Sequence, residues 1–208
     1  MSGPRRSSGS WRERQEKDVW VQKARNEGYR SRAVYKLDEL CEKAKLLRPN
    51  MTVVDLGAAP GGWSQYVARK LNEKCEIYAL DLLEMDSLPG VTFIQGDFRE
   101  NEILDQLTEL LDGKRVDLVM SDMAPNISGV KAVDQPRAMY LAELALDFAT
   151  RMIHPKGAFI CKVFQGEGFD DYVRTLRQQF ASVKIRKPKA SRPSSTEVYV
   201  LARNYRLV

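Results

Sequence analysis

From Met51 onward, short apolar runs rich in β-branched residues alternate with longer amphipathic stretches, and this alternation constrains the possible fold more than any other feature of the sequence. Helical spacing of apolar residues predicts helices over 62–72, 101–111, 136–152 and 168–180. Strands are predicted over 52–56, 75–80, 91–95, 116–121, 157–164, 182–187 and 196–202. Repeated β-α-β units of this kind predict an α/β fold, with a mainly parallel seven-stranded sheet and helices on both faces.

The segments at either end of this alternating region also carry structural signals. The last two strand runs are joined by a short basic loop, and a parallel crossover needs about a dozen residues or more, so a C-terminal antiparallel hairpin is predicted. Ahead of the sheet, residues 18–26 are predicted to form a short helix. Ser31 is predicted to cap a second helix over 32–45, in which apolar residues recur at helical spacing.

The formal net charge of +5 is distributed unevenly along the chain. Residues 1–36 hold ten Lys or Arg and four Asp or Glu, and residues 184–192 hold five cations and no acid. Residues 1–17 are polar, lack an apolar period and are predicted to be disordered. We therefore expect a flexible basic arm over 1–27, one folded domain over 28–208, and a polyanionic partner. A solvated tail that only keeps the protein soluble is the alternative.

Several other classes of protein are disfavoured by composition. No apolar run approaches the roughly 18 residues of a membrane span, and the polar N-terminus lacks the apolar core of a secretion signal. The three cysteines form no CxxC pair and the chain has one histidine, so no metal site is predicted. Free thiols are typical of a reducing compartment, and we expect a cytoplasmic monomer without a membrane anchor.

The segment "DLGAAPGG" (55–62) follows the first predicted strand and precedes a helix, as nucleotide-binding loops do. It departs from the GxGxxG dinucleotide fingerprint, because the second glycine is missing and Pro60 has no N–H to donate to a phosphate. No Lys-Ser/Thr pair follows Gly62, so the P-loop pattern fails as well. Small residues still allow a ligand to lie close to the backbone. The segment therefore indicates a pocket that does not bind phosphate, with a tight structural turn as the alternative.

Acidic residues follow three of the predicted strands. Asp81, Asp97 and Asp122 stand at the ends of the second, third and fourth strands. The carboxyl ends of parallel strands share one edge, where doubly wound sheets bind their ligands. Taken singly, each acid is explained equally well as a helix cap or a solvated turn residue. Together with the glycine loop, they indicate an acidic pocket that fits a cationic adenosine ligand such as S-adenosylmethionine.

Lys162 lies inside "GAFICKVF" (157–164), a run that is apolar on both faces, and lysine is rarely buried without a reason. If the fourth and fifth strands are neighbours and the last strand is antiparallel to the fifth, then Asp122, Lys162 and Glu197 meet at one edge. Lys36 borders the apolar stripe of its helix, which allows it to lie over the same edge. Two lysines and two acids beside a cationic methyl donor suggest activation of a weak hydroxyl nucleophile. The alternatives are a surface position for Lys36 and a Lys162 ammonium that reaches solvent.

Six motifs together carry a family resemblance: "SRAVYKLDEL", "VVDLGAAPGGWSQYV", "GDFR", "SDMAPN", "KVFQGEGFD" and "EVYV". They resemble the FtsJ/RrmJ (RlmE) family, the bacterial 23S rRNA uridine-2′-O-methyltransferases, over about residues 28–203. The resemblance implies a Rossmann-like fold that depends on S-adenosylmethionine. The family's catalytic tetrad falls on Lys36, Asp122, Lys162 and Glu197, with Lys162 as the expected proton acceptor. The family's cofactor contacts fall on Gly61, Trp63, Asp81, Asp97 and Asp122.

The resemblance also implies a substrate, a uridine of 23S rRNA in an assembled 50S particle. Phosphate contacts are then expected at Arg137, Lys184, Arg186, Lys187, Lys189 and Arg192. A 2′-O-methyltransferase that acts on tRNA or another RNA is an alternative, because the tetrad determines the chemistry and not the RNA. A non-catalytic RNA-binding protein of ribosome assembly is a second alternative, which an intact tetrad disfavours. An NAD-dependent oxidoreductase is disfavoured by the interrupted glycine fingerprint.

Overall fold

A seven-stranded sheet runs through the centre of the protein, of which the computed structural model describes residues 18–206. The strands are β1 (Met51–Leu56), β2 (Cys75–Asp81), β3 (Val91–Gln95), β4 (Val116–Ser121), β5 (Ile153–Phe164), β6 (Phe180–Arg186) and β7 (Glu197–Tyr205). The helices within these residues are α1 (Val19–Asn26), α2 (Val34–Ala44), α3 (Gly62–Lys70), α4 (Asn101–Leu111), α5 (Lys131–Met152) and α6 (Phe169–Gln179). None of the helices in this part of the chain is long and apolar enough to cross a membrane.

The strand order β3-β2-β1-β4-β5-β7-β6 confirms the predicted α/β fold. The five strands β3, β2, β1, β4 and β5 all run parallel to one another. Strand β7 is antiparallel to both β5 and β6, which confirms the C-terminal antiparallel hairpin. The strand order reverses between β1 and β4, and such a switch point is where doubly wound sheets bind ligands.

Apolar side chains cover both faces of the sheet, as the continuous apolar runs of its central strands require. All six residues of β1 are buried. Val54 and Leu56 pack into the core with α4, α5 and α6, whereas Met51 and Val53 pack into the opposite core with α1, α2 and α3. Burying one Val or Leu side chain stabilises a fold by about 1.5–3 kcal/mol. Strand β1 therefore anchors a helical layer on each side of the sheet.

Helix α5 begins at Lys131, five residues before its predicted start at 136. Proline is typical of the first helical position, which is why the sequence predicts the boundary there, but Pro136 lies inside the helix. The Asp134 carboxylate accepts hydrogen bonds from two backbone N–H groups of the preceding turn, both at 2.9 Å, and so fixes the entry to the helix. Arg137 consequently lies beyond the first turn, where the helix dipole acts weakly on its charge.

Strand β5 begins at Ile153, four residues before its predicted start, and follows α5 directly. A shift of register against β4, between Val116 and Leu118, accommodates the additional residues. The sequence gives no sign of this extension, because His154, Pro155 and Lys156 are not typical of a strand.

The predicted helix cap at Ser31 is wrong. The residue at the N-cap of α2 is Ala33, whose side chain has no oxygen, and the helix begins at Val34 after a turn. The Ser31 hydroxyl instead lies against α3, since a Cβ added to Gly62 would stand 2.5 Å from its Oγ. Ser31 therefore contributes to close packing of the chain against the glycine loop.

Helix α1 lies within the segment predicted as a basic arm and confirms the short helix predicted there. The Asp18 carboxylate caps it by accepting from the Trp20 N–H at 2.9 Å. Trp20 contacts Tyr35 of α2, with 5.2 Å between the ring centroids, and Ala24 is buried. The predicted disorder of residues 1–17 lies outside the described residues.

Candidate active site

Lys162 and Asp122 form an ion pair at the carboxyl edge of the sheet. Lys162 lies in β5 and Asp122 follows the adjacent strand β4. The Lys162 Nζ donates to the backbone oxygen of Asp122 at 2.5 Å and lies 3.2 Å from its Oδ1. Only 8% of the Lys162 side chain is exposed. An ammonium group so withdrawn from water needs a charged partner, and Asp122 provides one.

A second ion pair joins α2 to the first residue of β7. The Lys36 Nζ donates to Glu197 Oε1 at 2.6 Å, and the two side chains are 11% and 12% exposed. The Ser191 hydroxyl donates to the same oxygen at 2.9 Å. Lys36 is therefore directed inward by its partner on β7, although its position on α2 alone is equally consistent with a surface lysine.

Tyr199, which was not among the predicted site residues, connects the two ion pairs. Its side chain is fully buried, and its hydroxyl lies 2.7 Å from Asp122 Oδ1 and 3.2 Å from Lys36 Nζ. Burial and the nearby charges of Asp122 and Glu197 raise the pKa of Tyr199 well above its ordinary value. The structure thus brings the four predicted tetrad residues and one buried tyrosine into a single hydrogen-bonded set. A signal in the sequence was its place two residues after Glu197, on the same face of the strand.

A cavity of about 560 Å³ opens beside this set, where strands β1 to β4 end. Four predicted site residues line it: Asp81, Asp97, Asp122 and Arg137. Small-molecule sites typically have volumes of about 300–1,000 Å³. Asp122 belongs both to this cavity and to the ion pairs, so a ligand in the cavity lies next to the two lysines.

Asp81 and Asp97 are held by different partners in the cavity wall. The Asp81 carboxylate accepts from the backbone N–H of Ala59 at 2.9 Å and from that of Leu83 at 2.8 Å, so it ties the glycine loop to the end of β2. The Asp97 carboxylate accepts from Arg99, with a closest distance of 2.5 Å. Hydrogen bonds from Arg99 lower the pKa of Asp97 to about 2. Asp97 is therefore ionised at neutral pH.

Gly61 and Trp63 lie outside the residues that line the cavity. Gly61 has a φ of 101°, and a Cβ there would stand 2.9 Å from both Arg30 Nη1 and Met85 Sδ, so only glycine fits. Trp63 is 3% exposed, and its indole N–H donates to the backbone oxygen of Ala33 at 2.9 Å. Direct contact of these two residues with a cofactor stays a prediction.

Arg30 holds the glycine loop from the other side, and it was not predicted as a site residue. Its guanidinium donates to the backbone oxygens of Pro60 at 3.2 Å, Asp86 at 2.7 Å and Ser87 at 2.8 Å. These bonds join the loop after β1 to the loop after β2. The relative position of these two loops, which also carry the cavity-lining residues Ala59 and Leu83, therefore depends on a residue that precedes the sheet in the chain.

Asp55, in β1 behind the glycine loop, is a fully buried carboxyl group. Its Oδ2 accepts from the Ser64 hydroxyl at 2.7 Å, and no donor within the described residues reaches its Oδ1. Burial raises the pKa of Asp55 to about 7, against the Ser64 hydrogen bond, which lowers it, and the charges of Asp122 and Asp81 raise it further. Asp55 therefore titrates near neutral pH.

The predicted phosphate contacts divide into two locations. Arg137 lines the cavity, whereas the five other cations lie on β6 and the loop between β6 and β7: Lys184, Arg186, Lys187, Lys189 and Arg192. All five are exposed. The Lys187 Nζ donates to two carbonyls of its own loop, the closer at 2.6 Å, which gives that residue a structural role in the loop. The same loop is bound to the turn before α2, because Arg32 donates to the backbone oxygen of Ala190 at 2.8 Å.

Comparison with known proteins gives consistent similarities in sequence and in fold. Residues 29–205 match the model of the family described as FtsJ-like methyltransferase. A protein of Chromohalobacter salexigens named ribosomal RNA large subunit methyltransferase E is 58% identical over 200 residues, which cover 96% of this chain and 95% of that protein. A solved ribosomal RNA methyltransferase of Plasmodium falciparum is 31% identical, with a TM-score of 0.77 over 85% of this chain and 98% of that chain. Human methyltransferase-like protein 13, solved in complex with SAH, shares the fold alone, at 16% identity and a TM-score of 0.58 over 83% of this chain and 80% of its own.

Proposed function

The chain belongs to the FtsJ-like methyltransferase family, and from this we propose that it methylates the 2′-hydroxyl of a uridine ribose in the 23S rRNA of the large ribosomal subunit. One observation carries the proposal: Asp122 lines the cavity and also belongs to a hydrogen-bonded set with Lys162, Lys36 and Glu197. A ribose hydroxyl is a weak nucleophile, and such a set of paired lysines and acids suits its activation. The relative at 58% identity is named for large-subunit ribosomal RNA, which supports this RNA as the substrate.

The residues of the cavity fit S-adenosylmethionine in size and in charge. Asp81 and Asp97 would hold hydroxyl and amino groups, and Asp122 offers a negative charge to a sulfonium group. The broken phosphate-binding pattern of the glycine loop agrees with a ligand that has no phosphate. When bound, S-adenosylmethionine would supply an electrophilic methyl group carried on sulfur.

Activation of the ribose hydroxyl falls to the protein's own side chains. Lys162 must release one proton to solvent beforehand, because only its neutral amine can accept the proton of the ribose hydroxyl. The ribose oxygen would then bond to the methyl group that bound S-adenosylmethionine supplies, and the demethylated cofactor would be the leaving group. The Lys36 ammonium stabilises negative charge that develops on the oxygen. Asp122 and Glu197 each hold one lysine in place, at 3.2 Å and 2.6 Å from its Nζ. Because the transfer is in line, correct positioning supplies much of the rate.

The proposed RNA partner is the 23S rRNA within the 50S particle, bound by a cytoplasmic monomer. The exposed cations of the β6–β7 region support this, because phosphate contacts dominate the affinity of proteins for nucleic acids. The loop that carries Lys189 and Arg192 also contains Ser191, which donates to Glu197 at 2.9 Å. Phosphates bound to this loop would therefore lie near the site of methyl transfer.

The proposal is tested with methyl-labelled S-adenosylmethionine and three RNA substrates from a strain that lacks the enzyme: 50S particles, naked 23S rRNA and tRNA. Labelled nucleotides are mapped by their resistance to alkaline cleavage, which requires a free 2′-hydroxyl. We expect one labelled uridine in 23S rRNA. Transfer to tRNA alone would overturn the ribosomal substrate. Absence of transfer to all three would favour a non-catalytic RNA-binding protein.

A further inference from the structure

Tyr199 occupies the position between the two ion pairs of the site. Its hydroxyl is 2.7 Å from Asp122 Oδ1 and 3.2 Å from Lys36 Nζ. Within residues 18–206, no other side chain is hydrogen-bonded to a member of each pair. Strand pairing brings the two pairs to one edge of the sheet, and within these residues the Tyr199 hydroxyl is the side-chain group that links them.

The direction of both hydrogen bonds of Tyr199 is determined by chemistry. An ammonium group only donates and an ionised carboxylate only accepts, whereas a phenol has one proton to donate and an oxygen that accepts. Tyr199 must therefore accept from Lys36 and donate to Asp122, and it does both only as a neutral phenol. Burial, the largest of the effects that raise its pKa, favours this form.

The surroundings of Tyr199 hold its ring in place. Tyr199 lies directly opposite Lys162 in the antiparallel pairing of β7 with β5. This register fixes the position of Tyr199 along the strand direction relative to Lys162. Its ring packs against Trp63, with 5.8 Å between centroids, and the Lys36 Nζ lies 5.5 Å from the ring centroid. Because the ring is fully buried, the hydroxyl has a fixed location relative to both lysines.

We propose that Tyr199 is a positioning residue of the methyl-transfer reaction, an inference that rests on the proposed function. Its hydroxyl holds Asp122 and Lys36 at a fixed separation, so that Lys162 and Lys36 reach the same ribose hydroxyl. Without it, Asp122 Oδ1 retains only Lys162 and is free to rotate, and Lys36 retains only Glu197. Both lysines are then still paired, but their separation is no longer fixed.

The test uses Tyr199→Phe, which removes the hydroxyl and keeps the ring. We expect the single-turnover rate of methyl transfer, measured with enzyme in excess, to fall about 10- to 100-fold. The dissociation constant of S-adenosylmethionine and the half-saturating RNA concentration should change by less than about twofold, because the hydroxyl positions groups without binding either ligand. A rate close to that of the wild type would overturn the proposal, and so would a loss confined to cofactor binding.

Tyr66→Phe is the matched control. Tyr66 is 3% exposed and its hydroxyl donates to an aspartate, Asp38, at 2.8 Å, but it makes no hydrogen bond to the four tetrad residues. We expect this variant to methylate at the wild-type rate. A comparable loss in both variants would show that the effect comes from buried tyrosine hydroxyls in general, and would overturn the specific role of Tyr199.

A double-mutant cycle separates positioning from a general structural effect. In a Lys36→Met background, the loss caused by Tyr199→Phe should shrink by at least about fivefold, because the bridge between the pairs is already broken. Equal losses in both backgrounds would overturn the proposal. Transfer by the wild type tests the proposed function separately. If the wild type transfers no methyl group, the contact between Tyr199 and Lys36 is still tested by urea unfolding of the wild type, the two single variants and the double variant. Additive shifts of the unfolding midpoints would show that the two side chains do not interact, and would overturn the proposal.

Discussion

The buried carboxyl group of Asp55 is expected to make the protein less stable as the pH rises toward neutrality. Burial raises the pKa of Asp55 from an ordinary value of 3.8 to about 7. Between these two pH values the native state binds more protons than the unfolded chain. Linkage then requires the free energy of unfolding to fall with increasing pH across this window, and to become independent of Asp55 above it.

The magnitude follows from the size of the shift in the pKa of Asp55. About three pH units separate the two values, and one unit corresponds to about 1.36 kcal/mol, so ionising Asp55 costs about 4 kcal/mol in the folded protein. About two of those units lie above pH 5. Asp55→Asn keeps the shape and does not titrate, so its free energy of unfolding relative to the wild type should rise by about 3 kcal/mol from about pH 5 to about pH 8.

Urea unfolding followed by tryptophan fluorescence at several pH values provides the measurement. The difference between variant and wild type cancels the titration of all other groups. Asp97→Asn is the control, because Arg99 lowers the pKa of Asp97 to about 2 and its carboxyl stays ionised throughout this range. The stability difference for Asp97→Asn should therefore be flat. A difference for Asp55→Asn that is equally flat would show that burial does not raise the pKa of Asp55 into this range.

Three further predictions concern the chemistry, the cavity and the RNA. Lys162→Ala should keep its affinity for S-adenosylmethionine in calorimetry but lose at least about 100-fold in the rate of methyl transfer; near-normal turnover would remove Lys162 from the mechanism. Arg30→Ala releases Pro60 from the loop after β2, and the dissociation constant of S-adenosylmethionine should rise about tenfold; an unchanged constant would contradict a role for Arg30 in shaping the cavity. Lys184→Ala combined with Arg186→Ala should reduce the magnitude of the slope of log RNA affinity against log salt concentration by about 2. An unchanged slope would show that the RNA binds to another surface.

Topology is the part of the site that could be predicted from the sequence. Asp122 and Lys162 meet because β4 and β5 are parallel neighbours, and Glu197 reaches them because β7 runs antiparallel beside β5. Strand periodicity and loop length determine these relations, and both are visible in the sequence. The same reasoning predicts that the acids after the strands share one edge.

Contacts that depend on the reach of individual side chains could not be predicted in this way. The hydroxyl of Tyr199 bonds to Asp122 across 77 residues of sequence, and Arg30 bonds to Ser87 across 57. The place of Tyr199 two residues after Glu197 puts both side chains on one face of β7, but no spacing marks the bond of Tyr199 to Asp122 or that of Arg30 to Ser87. The start of α5 was missed for a related reason, because Asp134 fixes it by hydrogen bonds to the turn before it.

The insertion of β7 between β5 and β6 has a consequence for the order in which the parts of the site can assemble during folding. Strand β6 precedes β7 in the chain yet pairs only with it, so β6 cannot join the sheet before β7 does. The partner of Lys36 is Glu197, which lies 161 residues later in the sequence. Contacts that close so long a loop form slowly. Strands β1 to β5 already place Lys162 beside Asp122 and enclose the cavity. The cavity lining and the Lys162–Asp122 pair therefore belong to the part of the chain that precedes β6, whereas the Lys36–Glu197 pair forms only once β7 has joined the sheet.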